Sequence, residues 1–310
     1  MSVVLKKYLW GILYGIVLTA FTVYVLMDTF VIARVYQAAP PEAETSVPKS
    51  LDADDTESET EAEDDTPVIT ANFYKDSNIS ITITEYREND TSIYVADIQV
   101  SSAEYLQTAL ARDSYGRNVT EKTSEIAEET GAILAINGDY YGSQENGYVL
   151  RNGVLYRNAA TSGQEDLVIY EDGSFEIITE TSVSADQLLA GGAQQILSFG
   201  PALVSDGQVL VTEAEEVGRA MTSNPRTTIG IVEELHYLFV VSDGRTDESK
   251  GLSLFALAEF MQSLGAETAY NLDGGGSSTM YFNGEVINQP TTNGRSIQER
   301  SVSDIVYIGY

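Results

Sequence analysis

The stretch Asn271-Leu272-Asp273-Gly274-Gly275-Gly276-Ser277-Ser278-Thr279-Met280 joins a helix-like segment to a strand-like one. Three consecutive glycines remove every Cβ from this turn, so its backbone N–H groups can approach a ligand closely or adopt positive φ. An acid precedes the glycines and two hydroxyls follow them, which favours a cradle for an anion or a sugar beside one carboxylate. A tight turn with a polar rim is the simpler alternative.

The composition of the chain excludes several classes of protein. A hydrophobic content of 43% over 310 residues is enough for a sizeable core. The net charge of −30 argues against nucleic-acid binding, because no basic stripe is present to neutralise phosphates. The absence of cysteine excludes disulfides, thiolate catalysis and thiolate metal sites, and suits an exported bacterial domain. The single histidine, His236, lies in an apparent hairpin turn, which disfavours Ser-His-Asp catalysis.

The N-terminus carries a long apolar segment. Tyr8 to Met27 contains no charge and follows Lys6 and Lys7. Twenty helical residues span about 30 Å, the thickness of a bilayer core, and the lysines favour a cytoplasmic N-terminus. We therefore predict a cytoplasmic stretch at 1–7 and a single-pass cell-membrane anchor at 8–33, with the rest of the chain outside the cytoplasm. A cleaved signal peptide is the alternative.

An acidic segment follows the anchor. Glu42 to Asp65 holds eleven acids and one base, Lys49. Such a segment cannot bury enough apolar surface to fold, and its charges repel one another. Residues 34–67 are therefore predicted to be a disordered tether, and residues 68–310 to be one extracytoplasmic domain.

Within that domain, strands outnumber helices. Alternating residues in 79–84 and 92–100 predict a hairpin, and the Asn152-Gly153 and Asp172-Gly173 turns predict two more. An amphipathic helix is predicted at 253–264. Further expectations are a short helix at 103–111 and a strand at 196–204 whose pattern is broken at Phe199-Gly200-Pro201. This mixture indicates an α+β fold, strand-rich and with a few helices.

Polar residues recur where predicted strands end. They form the groups Asn137/Asp139, Asp243/Arg245 and Asn271/Asp273, together with two further arginines, Arg226 and Arg300. Arginine makes bidentate contacts with carboxylate or phosphate, although each could instead pair with a local acid. In so acidic a chain the long-range field opposes anion capture, so an anionic ligand would need short-range donors.

Five ordered motifs resemble the phosphodiester glycosidase family, whose bacterial members are often described as exopolysaccharide-related envelope proteins. The resemblance covers roughly Tyr94 to Tyr310, and the motifs are Asn137-Gly138-Asp139-Tyr140-Tyr141, Phe199-Gly200-Pro201-Ala202-Leu203, Pro225-Arg226-Thr227, Asp243-Gly244-Arg245 and the Asn271–Met280 stretch. Many members carry a second glycine and phenylalanines after the first Asn-Gly. Asp139 stands in place of that glycine, so it either has a catalytic role or merely replaces the glycine.

The resemblance implies hydrolysis of the sugar C1–O bond in a sugar-1-phosphodiester, with a phosphorylated glycan as partner and neither cofactor nor metal. A phosphomonoester leaving group has a conjugate acid of pKa ~6, so general-acid assistance adds little. The enzyme must instead stabilise the charge of the phosphate and supply a base or nucleophile. The predicted roles are phosphate binding for Arg226, Arg245 and Arg300 with Gly274, Gly275 and Gly276; base or nucleophile for Asp273, then Asp243 and Asp139; and sugar binding for Asn137, Gly138, Asn271, Ser277 and Ser278.

Two other functions remain open. The same arginines and glycines would serve a non-catalytic envelope module that binds phosphorylated glycans. A metal-dependent phosphodiesterase could use Asp139, Asp243 and Asp273 as ligands, but one histidine and no Asp-x-Asp pair among the motifs make a two-metal site poor.

Overall fold

The computed structural model describes residues 3–40, 66–213 and 223–310, and strands dominate it. This confirms the predicted strand-rich α+β fold. The described residues form four α-helices, which are α1 Val3–Phe30, α2 Thr123–Glu129, α3 Ala185–Ala190 and α4 Leu254–Ser263. The strands of the described residues are β1 Arg34–Ala38, β2 Val68–Thr70, β3 Phe73–Lys75, β4 Ile79–Glu88, β5 Thr91–Val100, β6 Leu106–Leu110, β7 Ser114–Arg117, β8 Leu134–Asn137, β9 Gly147–Arg151, β10 Val154–Ala159, β11 Glu165–Tyr170, β12 Phe175–Thr179, β13 Ala193–Leu197, β14 Ala202–Ser205, β15 Gln208–Val209, β16 Arg226–Glu233, β17 His236–Ser242, β18 Thr268–Asn271, β19 Met280–Phe282, β20 Glu285–Val286 and β21 Asp304–Ile308.

The strands form antiparallel sheets. The largest has nine strands in the order β15-β14-β18-β16-β17-β5-β4-β3-β2. Two five-stranded sheets follow the orders β20-β19-β8-β21-β6 and β10-β9-β13-β11-β12, and β1 pairs with β7. The predicted hairpins β4–β5, β9–β10 and β11–β12 are all confirmed.

One main core lies between the three larger sheets. Ile81, Phe239, Leu134 and Leu167 all belong to it, and each is fully buried. On the opposite face of the nine-stranded sheet, α4 packs through Leu257 and its neighbours, as its amphipathic pattern predicts. The core therefore fixes the relative position of strand ends from different sheets.

One predicted element is wrong, and another is divided at the point where its pattern is broken. The helix expected at 103–111 is a 3₁₀ turn at Ala103–Tyr105 followed by β6, in which alternate residues are buried. Pairing with β21 decides the strand conformation, because it buries those alternate side chains in the sheet. The single strand expected at 196–204 is divided at Phe199–Pro201 into β13 and β14, which belong to different sheets.

The N-terminal region differs partly from its prediction. Helix α1 is long and apolar enough over Tyr8–Phe30 to cross a membrane, judged on length and composition. The tether was predicted to begin at residue 34, but residues 34–38 form β1, because β7 supplies a partner for their backbone. The acidic residues 42–65 lie outside the described residues.

One buried carboxyl group stands out within β11. Asp166 is fully buried, and its carboxyl group lies beside the side chains of Ser198 and Glu180. Burial, and next the charge of Glu180, raise the pKa of Asp166 to about 9. An unfolded aspartate has a pKa near ~3.9. The folded protein therefore holds this group protonated at neutral pH, whereas unfolding releases its proton.

We expect Asp166→Asn to reduce the loss of stability that accompanies a rise in pH from about 4 to about 9. Because the folded pKa is raised, the contribution of Asp166 is full below about pH 4 and declines as the pH rises towards 9. Asparagine cannot ionise, so the variant should escape this decline, whose limiting slope for one proton is about 1.4 kcal/mol per pH unit between the unfolded and folded pKa values. Thermal unfolding measured between pH 4 and pH 9 checks this, with the exposed Glu129→Gln as control. Parallel pH profiles for the unmodified protein and Asp166→Asn would contradict it.

Candidate active site

The carboxyl ends of β8 and β18 meet at the start of the glycine loop. Asn137 ends β8 and is buried. Its Nδ2 donates to the backbone oxygen of Asp273 over 2.6 Å, and its Oδ1 accepts from Thr227 Oγ1 over 2.8 Å. The backbone N–H of Asp273 donates in turn to the carbonyl of Gly138 over 3.3 Å. Asn137 and Asp273, which belong to two of the polar groups predicted from the sequence, are therefore in contact although they are more than 130 residues apart in the chain.

The Asp273 side chain forms the centre of a small polar cluster. Its Oδ2 accepts from Ser277 Oγ over 2.6 Å and from Arg300 Nη2 over 2.8 Å. Arg300 Nε also donates to Ser277 Oγ over 2.8 Å. Burial raises the pKa of Asp273, while Arg300 and the Ser277 hydrogen bond oppose that rise. The result is a partly exposed arginine that holds a nearly buried carboxylate.

A second guanidinium group lies against the same loop. Arg245 donates from Nη1 to the carbonyl of Thr292 over 2.8 Å and shares Asn224 Oδ1 between Nε and Nη2. Burial lowers the pKa of Arg245, and the charge of Arg300 lowers it further. The guanidinium groups of Arg245 and Arg300 repel each other, and both would attract an anion bound between them at short range.

The glycines fit this loop for steric reasons. A Cβ on Gly275 would lie 2.8 Å from Arg245 Nη2, and φ is +65° at this glycine. A Cβ on Gly276 would lie 2.3 Å from Thr292 Oγ1, and one on Gly274 would lie 2.8 Å from the carbonyl of Pro225. The N–H groups of Gly275, Ser277 and Ser278 donate to backbone carbonyls of residues 225, 274 and 275. Those three donors shape the loop, so the glycines act here by allowing close approach.

Asp139 lies in a buried ion cluster behind the site. Arg151, also buried, donates from Nη2 to Asp139 Oδ2 over 2.7 Å and from Nε to Asp304 Oδ2 over 2.8 Å. Asp139 also accepts from the backbone N–H groups of Tyr141 and Ser198, each over 2.9 Å. Burial raises the pKa of Asp304, and the charge of Arg151 opposes that rise. These contacts place Asp139 among structural partners.

The glycine that precedes Asp139 is also explained by this cluster. A Cβ on Gly138 would lie 2.4 Å from Oδ1 of Asp304. The backbone N–H of Gly138 donates to the carbonyl of Asp304 over 2.9 Å. Gly138 therefore allows the chain after β8 to run directly over the ion cluster.

Asp243 and Arg226 lie on the other side of the loop. Asp243 Oδ1 accepts from Asn288 Nδ2 over 3.0 Å and from the backbone N–H of Gln289 over 2.8 Å, and burial raises its pKa. Arg226 begins β16, is buried, and donates from Nε to the carbonyl of Leu252 over 3.0 Å. Both residues border the segments that carry Arg245 and Gly274.

The residues predicted to orient a sugar are buried, whereas a neighbouring tyrosine is exposed. Asn137, Asn271, Ser277 and Ser278 are all buried. Asn271 Nδ2 donates to the carbonyl of Gly200 over 2.8 Å. Buried oxygens without a described hydrogen-bond partner include Asn271 Oδ1 and Ser278 Oγ. Tyr140, by contrast, is 40% exposed beside Gly138, and its ring lies perpendicular to that of Phe199 with centroids 6.3 Å apart.

Several site residues were not identified from the sequence. Arg151, Asp304, Thr292 and Asn224 contact predicted residues but stand in no recognised motif. Arg151 had one local signal, because a charged residue ends a buried strand before an Asn-Gly turn. Within the described residues no group of three or more His, Asp or Glu side chains is arranged to hold a metal ion. Two shallow hollows, beside α3 and beside β12, contain none of the predicted site residues.

Known proteins share this fold and these motifs. The solved catalytic domain of zebrafish N-acetylglucosamine-1-phosphodiester alpha-N-acetylglucosaminidase has a TM-score of 0.60 at 20% identity, covering 75% of this chain and 83% of that one. A hypothetical protein from Synechocystis has a TM-score of 0.54 at 14% identity, covering 75% of this chain and 62% of that one. At these identities the likeness shows the fold alone.

The sequence matches longer relatives. The SPbeta prophage-derived uncharacterized protein YomE of Bacillus subtilis is 27% identical over 253 residues, which is 78% of this chain and 38% of that protein. The N-acetylglucosamine-1-phosphodiester alpha-N-acetylglucosaminidase of Mus musculus is 26% identical over 184 residues, 54% of this chain and 35% of that protein. The chain thus spans little more than a third of the length of these relatives. The family profile of phosphodiester glycosidase matches residues 130–309, which include the whole glycine loop and its partners, and the chain belongs to the phosphodiester glycosidase family.

Proposed function

We propose that this protein is a membrane-anchored extracytoplasmic hydrolase. It would cleave the sugar C1–O bond of a sugar-1-phosphodiester, in cell-envelope or exopolysaccharide metabolism. The observation that carries the proposal is the meeting of Arg245, Arg300 and a nearly buried Asp273 on one glycine loop. Family membership supports a glycosidase that acts on phosphodiester sugars.

The two arginines are assigned to the phosphate. Arg245 and Arg300 are close enough for the charge of one to lower the pKa of the other. A phosphate anion between them would relieve this repulsion and accept charge-assisted hydrogen bonds from both. Arg226, buried at the start of β16 beneath Gly274, is assigned to the inner side of the same anion site.

Asp273 is assigned as the base or nucleophile. The leaving phosphomonoester needs little protonation, so the reaction depends on an attacking group at C1 and on stabilised phosphate charge. Burial raises the pKa of Asp273, which makes its carboxylate a stronger base than an exposed aspartate. Ser277 and Arg300 hold its carboxylate in one orientation. Asp243 is the second candidate for base or nucleophile. Its carboxylate lies near the loop, but it already accepts hydrogen bonds from Asn288 and Gln289.

The sugar is assigned to the side of the loop that carries Tyr140. Its exposed ring, supported by Phe199, offers an apolar face for a pyranose beside Gly138. Asn137 and Asn271 would act from below by holding the backbone of Asp273 and Gly200 in place.

The N-terminal helix supports placement at a membrane. The span Tyr8–Phe30 is exposed along its length and follows Lys6 and Lys7, which favours a cytoplasmic N-terminus and an external domain. A non-catalytic phosphoglycan-binding module would use the same arginines. The raised pKa of Asp273 favours catalysis, because binding an anion gives no use for a carboxylate at that position.

We expect Asp273→Asn to lower kcat by at least about 100-fold without lowering the melting temperature, because loss of a general base or nucleophile has this scale. The measurement is sugar release from a chromogenic N-acetylglucosamine-1-phosphodiester. Asp247→Asn, a fully exposed acid on the loop that carries Arg245, is the matched control and should keep full activity. Unchanged turnover in Asp273→Asn would remove this residue from the mechanism, and saturable binding with no free sugar from the unmodified protein would favour the binding module.

We expect Arg245→Gln to lower kcat/KM by about 10- to 100-fold, since a hydrogen bond to a charged group contributes about 1.5–3 kcal/mol. Arg245→Lys should recover only part of this loss, because lysine keeps the charge without the planar fork. Steady-state kinetics with the same substrate measure both variants. Arg295→Gln, an exposed arginine on the neighbouring loop, is the control. Equal losses in Arg245→Gln and Arg295→Gln would exclude a local role for Arg245.

The position of bond cleavage provides a third test. Hydrolysis in ¹⁸O-labelled water should place the label on sugar C1 and leave the phosphomonoester unlabelled. Mass spectrometry of both products measures this. Label in the phosphate would instead indicate attack at phosphorus, as in a phosphodiesterase.

A further inference from the structure

We propose that the segment from Val31 to Ala39 docks the domain against the bilayer surface, and that the substrate is a sugar-1-phosphodiester whose aglycone is anchored in the same membrane. This inference rests on the proposed hydrolase function and membrane anchor. It adds a fixed orientation of the domain and a substrate class.

The C-terminal end of α1 is held directly by the globular domain. Asn118 Nδ2 donates to the carbonyls of Thr29 and Ile32, each over 3.2 Å. The Thr29 carbonyl belongs to the set at a helix end that has no partner within the helix, and Ile32 follows two residues after the end of α1. One side chain of the domain therefore caps the helix where it would leave the bilayer.

The chain after the helix is also attached. Strand β1 pairs antiparallel with β7, and Ala39 N–H donates to the carbonyl of Asp113 over 2.7 Å. Gly116 of β7 is suited to this contact, because a Cβ there would lie 2.2 Å from the carbonyl oxygen of Arg34. The domain thus follows the anchor without a free linker.

Apolar side chains are exposed where the segment would meet lipid headgroups. Val31, Val35 and Tyr36 are each about 60% exposed, and they lie within a few residues of the end of α1. Tyrosine and aliphatic side chains at this depth favour the membrane–water interface. The Tyr36 ring also contacts that of Tyr115, with centroids 5.9 Å apart, which links the interface to the domain.

The candidate site is close to this docked segment. Glu121, three residues after Asn118, pairs with Val302, two residues after Arg300. At 3.8 Å per residue and about 5.5 Å across the pair, Arg300 Cα lies at most about 25 Å from Asn118 Cα. On the sugar side, Asn118 N–H donates to the carbonyl of Gly142, two residues after Tyr140, over 3.1 Å. The glycine loop is therefore held within a short, fixed distance of the bilayer.

The charge of the protein favours a substrate that is delivered by the membrane. A net charge of −30 repels a phosphodiester that diffuses in from solution. A substrate anchored in the bilayer reaches the site by lateral diffusion and is kept at high local concentration, as with any tethered pair. The acidic residues 42–65 lie between β1 and β2, so they connect two points of the domain instead of separating the domain from its anchor.

The test uses the full chain reconstituted in phosphatidylcholine vesicles with two substrates that share one sugar-1-phosphate. One substrate has a short soluble alkyl aglycone, and the other has a dialkylglycerol aglycone held in the bilayer. The undocking variants are Asn118→Ala alone and Asn118→Ala with Gly116→Val. Asn158→Ala, exposed on β10, is the control.

We expect the undocking variants to keep their rate on the soluble substrate and to lose at least about fivefold on the anchored one. Equal rates on the anchored substrate before and after undocking would overturn the inference. If neither substrate releases sugar with the unmodified chain, the proposed function itself fails, which is a different outcome. The milder Asn118→Ala variant keeps the test decisive if Gly116→Val prevents folding.

The docked geometry can be measured without turnover. The chain has no cysteine, so Ile297→Cys on the exposed loop near Arg245 provides one labelling position. Energy transfer from a dye at this position to acceptor-labelled headgroups should be higher in the docked chain than in the Asn118→Ala, Gly116→Val variant. Identical transfer in the two chains would show that the segment does not hold the domain to the bilayer.

Discussion

The buried amide of Asn137 is the contact on which the arrangement of the site depends. It ends β8 of one five-stranded sheet and bonds to Thr227 of the nine-stranded sheet and to Asp273 beyond β18. Asn137 Oδ1 also accepts from the backbone N–H of Thr279, and Asn137 Nδ2 also donates to the carbonyl of Gly138. All four hydrogen bonds of one side chain are thus made. Because these bonds join the end of β8 to β16 and to both ends of the glycine loop, this amide sets the distance between two sheets where the loop begins.

The charged residues of the site lie below and above the junction that Asn137 makes between the two sheets. Arg151 lies beneath it, between Asp139 and Asp304, so one guanidinium compensates two buried carboxylates. Such a cluster is weak evidence for stability, because desolvation opposes the attraction. It does fix orientation: the planar guanidinium meets both carboxylates only when β8, β9 and β21 are in register. Above the junction, Arg245 and Arg300 leave a local excess of positive charge in a strongly acidic protein.

Much of the fold could be predicted from local pattern. Asn-Gly and Asp-Gly turns, alternating strands and the apolar face of α4 depend on nearby residues, and these predictions are confirmed. The helix predicted at 103–111 was wrong, because the strand there is selected by β21, nearly 200 residues away. The same limit applies to the site. The sequence indicated that Asp273 and Asn137 belong together through family motifs, but nothing local marks Arg151 as the partner of Asp139.

The predicted sugar-binding residues show a further limit. Asn137 and Ser278 carry groups suited to a hydroxyl, and a sequence cannot distinguish a polar side chain that faces a ligand from one that holds a loop. Burial makes that distinction for these two residues. The sequence motif contains Tyr140 but does not indicate that its ring is exposed and available to a sugar. Solvent exposure depends on packing between sheets, which is a property of the whole fold.

The pairing of β1 with β7 has a consequence for any shortened form of the chain. Tyr115 of β7 stacks on Tyr141 and contacts Tyr156, so one side of the strand is covered by aromatic rings. Removing residues 1–40 would leave the opposite edge with unpaired backbone groups beside an apolar surface. Bare edges of this kind recruit strands from other molecules. A soluble fragment prepared without its leading strand would therefore tend to self-associate through β7, and that tendency would belong to the truncation, not to the native protein.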